Sequence, residues 1–209
     1  MIDETGLNVL REQVACAMSP YRFLHTSEVE KMVARLAALY APEAILSLRA
    51  AALLHDITKE KETEEQLALC QRFGIVLTDA DRGAPKTLHA MTAAAVIPEK
   101  YPDFAEDAIC SAVRWHTTGR AGMRLEEWLL YLADYIDLSR RFPDCVALRE
   151  FFWGAEPERM AEKDKLSHLR ETLIRSLDMT VRGLLEEGAP ISPDSVAARN
   201  ELITVGIRS

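Results

Sequence analysis

Residues 44–57 read AILSLRAAALLHDI, a run rich in Ala and Leu and apolar almost all the way round a helical wheel. Ala and Leu are among the strongest helix formers, and a helix with no polar face belongs in the interior of a helical protein. This stretch therefore predicts a central, fully packed helix. At its end stand His55 and Asp56, two polar residues where burial is expected.

Working outward, the neighbouring segments keep the helical period. Val29, Met32, Val33, Leu36 and Leu39 recur at spacings of three and four, and Phe104, Ala108, Ile109, Ala112 and Val113 form a second stripe that Pro102-Asp103 is placed to start. Residues 128–136 are apolar on most faces, so they too should be buried. No pair of alternating runs flanks an Asn-Gly or Asp-Gly turn. The expected class is all-α. Turn signals at Pro20, Gly74, residues 83–85, residues 119–122, Pro143 and residues 154–157 separate the helices. The last of these divides a main body, residues 1–153, from a helical extension, residues 154–209, expected to pack on the same domain. The extension should hold a long helix, about 164–187, with Leu166, Leu169, Leu173, Leu177 and Leu184 on one face for core or dimer packing. Gly188-Ala189-Pro190 stops it, and a short tail follows with Asp194 placed as an N-cap. The tail either folds back or contacts a second subunit, as in a homodimer.

A chain of 209 residues with 48% hydrophobic and 28% charged residues suits a single globular domain with a real core. No apolar run approaches the roughly 18 residues of a membrane span, and the N-terminus lacks a basic segment ahead of an apolar one. The expected location is cytoplasmic, with no membrane partner. A net charge of −8 opposes general binding of DNA or RNA, whose phosphate backbones demand a basic surface. It leaves room for a small polyphosphate, because metals and a few local cations can invert the sign inside a pocket. Cys16, Cys70, Cys110 and Cys145 form no C-x-x-C pair and are expected to be structural.

Five histidines carry most of the chemistry: His25, His55, His89, His116 and His168. His25 precedes Val29 by four, and His116 follows Val113 by three, so both lie on apolar stripes. One histidine on an apolar face is usually a hydrogen-bonded core residue. The carboxylates shift the balance, because a buried carboxylate without a cation costs several kcal/mol. Asp134 interrupts the apolar run at 128–136 and has no Lys or Arg a turn away on its N-terminal side. Asp56 has Lys59 three residues on, so a local salt bridge is an alternative there. Inward histidines and aspartates on five helices are more simply explained by one shared metal centre. Imidazole and carboxylate without thiolate suit Fe, Mn, Co or Zn. Six ligands are too many for one open catalytic metal; they suit two metals about 3.5–4 Å apart, bridged by a carboxylate and a hydroxide.

His25, His55-Asp56, His89, His116 and Asp134 together resemble the H…HD…H…H…D signature of the HD-domain phosphohydrolases. The strings MSPYRFLHT (18–26), LLHDITK (53–59), RWHTTGR (114–120) and YLADYIDLSRRFP (131–143) bring the resemblance closest to the YqeK-type branch, the symmetrical bis(5′-nucleosyl)-tetraphosphatases of bacteria. It covers roughly residues 8–150. The resemblance implies an HD-domain helical bundle with His25, His55, Asp56 and Asp134 on one metal. Asp56 would bridge to a second metal held by His89 and His116, and iron would be the metal. It implies cleavage of diadenosine tetraphosphate into two ADP by the bridging hydroxide, with Asp56 and Lys59 central to the reaction. Lys59, Thr117, Gly119 and Arg120 match positions that look placed to hold the polyphosphate, and Arg140 a substrate contact. Two departures are visible: Asp137-Leu138 replaces a common Glu-Pro pair, and His89-Ala90 the usual His-Gly.

Simpler roles remain for some of these residues. Gly119 also suits an ordinary helix stop, and Arg22 either contacts substrate or lies on the surface. Asp137, one turn after Asp134, either supports the metal ligands or pairs with Arg140 or Arg141; the pair is favoured. His168, inside the charged string EKDKLSHLRE, is expected at the surface. Two other functions stay open: an HD phosphohydrolase acting on nucleoside mono- or triphosphates or guanosine alarmones, and a non-catalytic nucleotide-binding module. A cyclic-dinucleotide phosphodiesterase is disfavoured, since the Gly-Tyr-Pro element of that branch is absent.

Overall fold

A computed structural model describes residues 2–207, and no strand occurs among them. The helices, in chain order, are α1 (Glu4–Ala17), α2 (Pro20–Tyr40), α3 (Ile45–Leu54), α4 (Thr63–Arg72), α5 (Asp79–Gly83), α6 (Leu88–Lys100), α7 (Asp107–Trp115), α8 (Leu125–Ile136), α9 (Pro143–Gly154), α10 (Glu162–Glu186) and α11 (Pro193–Thr204). Their starts follow local chemistry. Asp3 Oδ1 accepts the Gly6 N–H at 2.7 Å to begin α1. Ser19 Oγ accepts the Arg22 N–H at 3.2 Å, and Pro20, with no N–H to satisfy, opens α2. None of the described helices is long and apolar enough to cross a membrane.

The Ala/Leu-rich α3 lies at the centre, packed on α2, α7 and α1, while α8 closes against α2 and α7. Leu53, Leu54, Val29, Leu36, Val113, Leu129 and Leu132 are fully buried there. Each such side chain contributes about 1.5–3 kcal/mol. Glu30 of α2 ties three helices together: Arg11 of α1 reaches it at 2.6 Å and Arg49 of α3 at 3.0 Å. The relative setting of α2 and α3, which both carry site residues, is thus fixed by charge as well as packing.

The C-terminal helices share this core. Leu169, Leu173 and Leu177 of α10 and Ala198 and Leu202 of α11 belong to the same buried cluster as α3. Leu166 is 40% exposed and Leu184 only half-buried, so the expected stripe is buried over its middle alone. The tail forms a helix, α11, that folds back on α10; Ser192, not Asp194, caps it by accepting the Asp194 N–H.

Other expectations also change. Residues 44–57 are not one helix: α3 stops at Leu54, and the chain past His55 tightens into turns in which the Lys59 N–H donates to the Asp56 carbonyl at 2.9 Å. Pro102–Phe104 form a separate short turn, and α7 begins only at Asp107. His168 is buried: its ring stacks on Phe152 at 5.4 Å and its Nε2 lies 3.0 Å from the Phe152 carbonyl oxygen. Cys16, expected with the other cysteines to be structural, is exposed.

Candidate metal centre

Five helices converge on one end of α3. His25 comes from the first turns of α2, His55 and Asp56 from just past the end of α3, His89 from the start of α6, His116 from the end of α7, and Asp134 from α8. All four histidines and Asp56 are buried.

Three of the histidines are oriented by the same device. The Nδ1 atoms of His55, His89 and His116 lie 2.6, 2.8 and 2.7 Å from the carbonyl oxygens of Ala52, Lys86 and Val113, in each case three residues earlier. A carbonyl can only accept, so Nδ1 carries the proton and the neutral ring turns a bare Nε2 inward. That is the tautomer a metal-ligating histidine needs, held by the backbone. For His55 and His116 the bond also satisfies a carbonyl left unpaired at a helix end.

The inward atoms crowd together without enough protons between them. His89 Nε2 lies 3.1 Å from His116 Nε2 and 3.2 Å from Asp56 Oδ1, a cluster of acceptors. His55 Nε2 is buried and makes no hydrogen bond, with Asp56 Oδ2 at 3.4 Å and Asp134 Oδ1 at 3.7 Å. Ligand-type atoms of His25, His55 and Asp134 fall within 4.8 Å of one another, and so do those of His55, Asp56 and His116. His89 joins through Asp56 and His116. Cations fit this donor set: only a positive charge relieves lone pairs facing each other in a buried space.

His25 is held differently. Its Nδ1 faces Ser139 Oγ at 3.0 Å and Asp137 Oδ2 at 3.4 Å, while Nε2 lies 3.0 Å from Asp134 Oδ1. Asp137 is fully buried; Oδ1 accepts from the Ser139 N–H at 2.7 Å and from its hydroxyl, and Oδ2 meets Arg140 Nε at 3.3 Å. The two roles weighed for Asp137 are therefore combined: it pairs with Arg140 and backs His25.

Electrostatics follow from burial and these contacts. Burial alone would raise the Asp56 carboxyl, but its close electrostatic contacts with the His55 and His89 rings hold it well below the usual carboxylate range. Asp134 is likewise low, because Arg140 and His25 outweigh its burial. Burial pushes His116 and His89 down, toward the neutral form. Burial also works against a charged His25, yet the Asp134 and Asp137 carboxylates beside it win and its pKa is pushed up to about 9.

The centre floors a cavity of about 890 Å³. Lys59, Thr117, Arg22 and Arg140 line it, but their partners differ from expectation. Asp56 does not pair with Lys59; Arg22 of α2 reaches its Oδ2 at 2.7 Å. Asp134, which has no cation within one turn on its N-terminal side, takes Arg140 Nη2 at 2.6 Å. Arg22 is therefore no surface residue. Lys59 Nζ instead lies 3.2 Å from His89 Nδ1. Burial lowers the Lys59 pKa, and the Asp56 and Asp134 charges partly offset this.

Gly119 and Arg120 lie away from this cavity. Gly119 has φ +63°, and a Cβ there would meet Ala198 and Met123 at 3.4 Å, so it is a helix-ending turn packed under α11. Arg120 bonds the Ala121 and Gly122 carbonyls and pairs at 3.2 Å with Glu127, a fully buried carboxylate. In this arrangement the guanidinium faces Glu127 and the turn carbonyls rather than the cavity. Ser195 of α11 steadies the same turn by donating to the Thr118 carbonyl at 2.7 Å. Residues that sequence reasoning passed over also line the cavity: Tyr21, Leu24, Phe142, Tyr131 and Thr180. Thr180, on α10, makes the C-terminal extension part of the cavity wall.

Comparison with known proteins adds three findings. The HD domain family matches residues 22–139. A Bacillus subtilis protein named symmetrical bis(5′-nucleosyl)-tetraphosphatase is 29% identical, across 92% of this chain and 97% of its own; a Halalkalibacterium halodurans protein of the same name is 32% identical, across 89% and 91%. A crystal structure from Clostridium acetobutylicum, described as a predicted HD superfamily hydrolase involved in NAD metabolism, superposes with a TM-score of 0.80 at 26% identity, covering 94% of this chain and 96% of that one.

Proposed function

The chain belongs to the HD-domain family, and from that premise we propose that it is a metal-dependent hydrolase that splits dinucleoside tetraphosphates symmetrically, diadenosine tetraphosphate giving two ADP. One observation carries the reading: inward Nε2 atoms of backbone-oriented histidines meet two low-pKa aspartates at the floor of a cation-lined cavity. Two relatives that carry this activity in their names match nearly the whole chain.

His25, His55, Asp56 and Asp134 would hold one metal, and His89 and His116, with Asp56 beside them, would hold a second. Bound metal supplies a nucleophile from water at neutral pH and positive charge for the phosphoryl oxygens. Iron is the proposed metal; Mn, Co and Zn suit the same donors.

The chain's own groups do the rest. Lys59, next to His89, offers a point charge to the attacked phosphoryl group, where charge develops in a site partly shielded from water. The Thr117 hydroxyl, 3.1 Å from His116 Nε2 and 3.3 Å from His89 Nε2, is placed to donate to a phosphate oxygen. Arg22 and Arg140 orient Asp56 and Asp134 and present further donors to the polyphosphate; Arg22 Nε is buried and makes no hydrogen bond. Gly119 and Arg120 are left out of the phosphate grip.

Incubating the metal-loaded protein with diadenosine tetraphosphate and resolving the products tests the reading. Two ADP is the expected result. ATP plus AMP would overturn symmetrical cleavage, and turnover of a nucleoside triphosphate or guanosine alarmone instead would move the protein to another HD chemistry. Loading with Fe, Mn, Co or Zn in the same assay tests the metal.

A further inference from the structure

We propose that Tyr21, Leu24 and Phe142 form a nucleobase subsite at the mouth of the cavity, with Arg141 taking the phosphate next to that base. The proposal rests on the nucleotide reading above and adds which residues hold the nucleoside.

Tyr21 and Leu24 lie one turn apart on α2, interleaved with Arg22 and His25, and Phe142 is the residue just before α9. All three line the cavity, yet they are 78%, 57% and 68% exposed. Single exposed apolar side chains need no explanation. Three converging on one cavity are different, because the floor of that cavity is a cluster of histidines, carboxylates and cations. The cavity thus has two characters: a charged floor for anhydride oxygens and an apolar, aromatic rim above it. A nucleotide has the same two parts, a polyanion joined to a flat ring with apolar faces, and rings stack on aromatic side chains whatever the base.

Arg141 marks where the two characters meet. It adjoins Phe142, lines the cavity, and makes no ion pair among the described residues, whereas Arg22 and Arg140 are each already on a carboxylate. A guanidinium without a carboxylate, beside an exposed aromatic ring, suits the phosphate next to a base. Tyr21 and Phe142 also fall just outside residues 22–139, the segment that matches the HD domain. Chemistry shared by a family resides in its common domain, and substrate choice in what surrounds it. A second copy of this chain is the other conceivable occupant, but three side chains fall well short of the roughly 800 Å² per partner of a stable interface.

The test compares two probes that differ by the nucleoside alone. ADP and inorganic pyrophosphate are titrated calorimetrically into wild-type protein, the Tyr21→Ala/Phe142→Ala double variant and Arg141→Ala, with sedimentation and thermal melts run alongside. Because the substituted side chains are exposed, the melts should coincide. The double variant should bind ADP more weakly, by at least about fivefold and up to on the order of a hundredfold, and bind pyrophosphate as wild type does. Arg141→Ala should weaken both. Unchanged ADP affinity in the double variant, or equal loss of both ligands, would overturn the subsite, as would a change of oligomeric state on substitution. Those results leave wild-type turnover intact, so they are distinguishable from failure of the hydrolase reading. Wild-type protein that bound no ADP and left diadenosine tetraphosphate uncut would overturn both.

Discussion

The Arg22 guanidinium lies 2.7 Å from Asp56 Oδ2, so the cation on this carboxylate comes from 34 residues earlier rather than from Lys59. Asp56→Ala should abolish turnover and bring metal content close to zero. The fold should survive, because Arg22 keeps some contact with water and is not left as a fully buried charge. Elemental analysis, turnover and circular dichroism on one preparation check this. Activity in that variant would sink the two-metal assignment.

Arg120 and Lys59 should separate cleanly. Arg120→Ala leaves Glu127 fully buried without its guanidinium, at a cost of about 1–3 kcal/mol, and lowers Tm by several degrees. KM for the dinucleotide should stay within about twofold of wild type, since Arg120 lies away from the cavity. Lys59→Ala should lower kcat by about a hundredfold or more and leave Tm nearly unchanged. Steady-state kinetics beside thermal melts would show the contrast. A large KM increase for Arg120→Ala would return that residue to the phosphate grip.

His168→Ala removes a ring stacked on Phe152 and a bond to its carbonyl. A loss of about 1–3 kcal/mol is expected, with metal content and KM unchanged. Denaturant unfolding measures the first and elemental analysis the second; a fall in metal content at full stability would contradict the assignment.

The pKa of His25, about 9 against an ordinary 6.5, sets two opposite pH trends. In the metal-free protein the folded state holds this proton more tightly than the unfolded chain does. The resulting stability, about 3 kcal/mol, is fully present below pH 6.5 and is lost as pH rises through 9. A metal must displace the same proton, so its affinity should climb by about tenfold per pH unit across that window. Denaturant titrations of metal-free protein and metal titrations from pH 6.5 to 9 test both slopes. A metal-free stability that does not change over that range counts against the His25 assignment.

Of the candidate ligands, His25, His116 and Asp134 were legible by their phase with apolar helical stripes, and His55-Asp56 because the pair ends the most apolar run; His89 entered only through the family resemblance. The cations were not legible in the same way. Arg22 reaches Asp56, and Arg140 reaches Asp134, across gaps that no helical spacing encodes. The Glu127 contact of Arg120 was not legible either: the turn after His116 has the residues of an anion grip, whereas the buried Glu127 that pairs with Arg120 lies on the next helix. His168 was misread for the opposite reason. Its phase with Leu169, Thr172 and Leu173 does point inward, and the charged letters around it masked that signal. The rim residues Tyr21, Leu24 and Phe142 carry no sequence mark of their own. Only the fold brings α2 and the start of α9 to one opening.

Because the proposed ligand set draws on five helices from residue 25 to residue 134, the two ions it would hold act together as a multi-point staple across most of the domain. Loosening any one contributor opens the cage, and the cage in turn resists loosening by the mass-action gain of its ion, about 4 kcal/mol at a thousandfold excess over Kd. How long the protein keeps its metal would then gauge the integrity of the whole bundle, and scarcity of metal would be felt first as fragility.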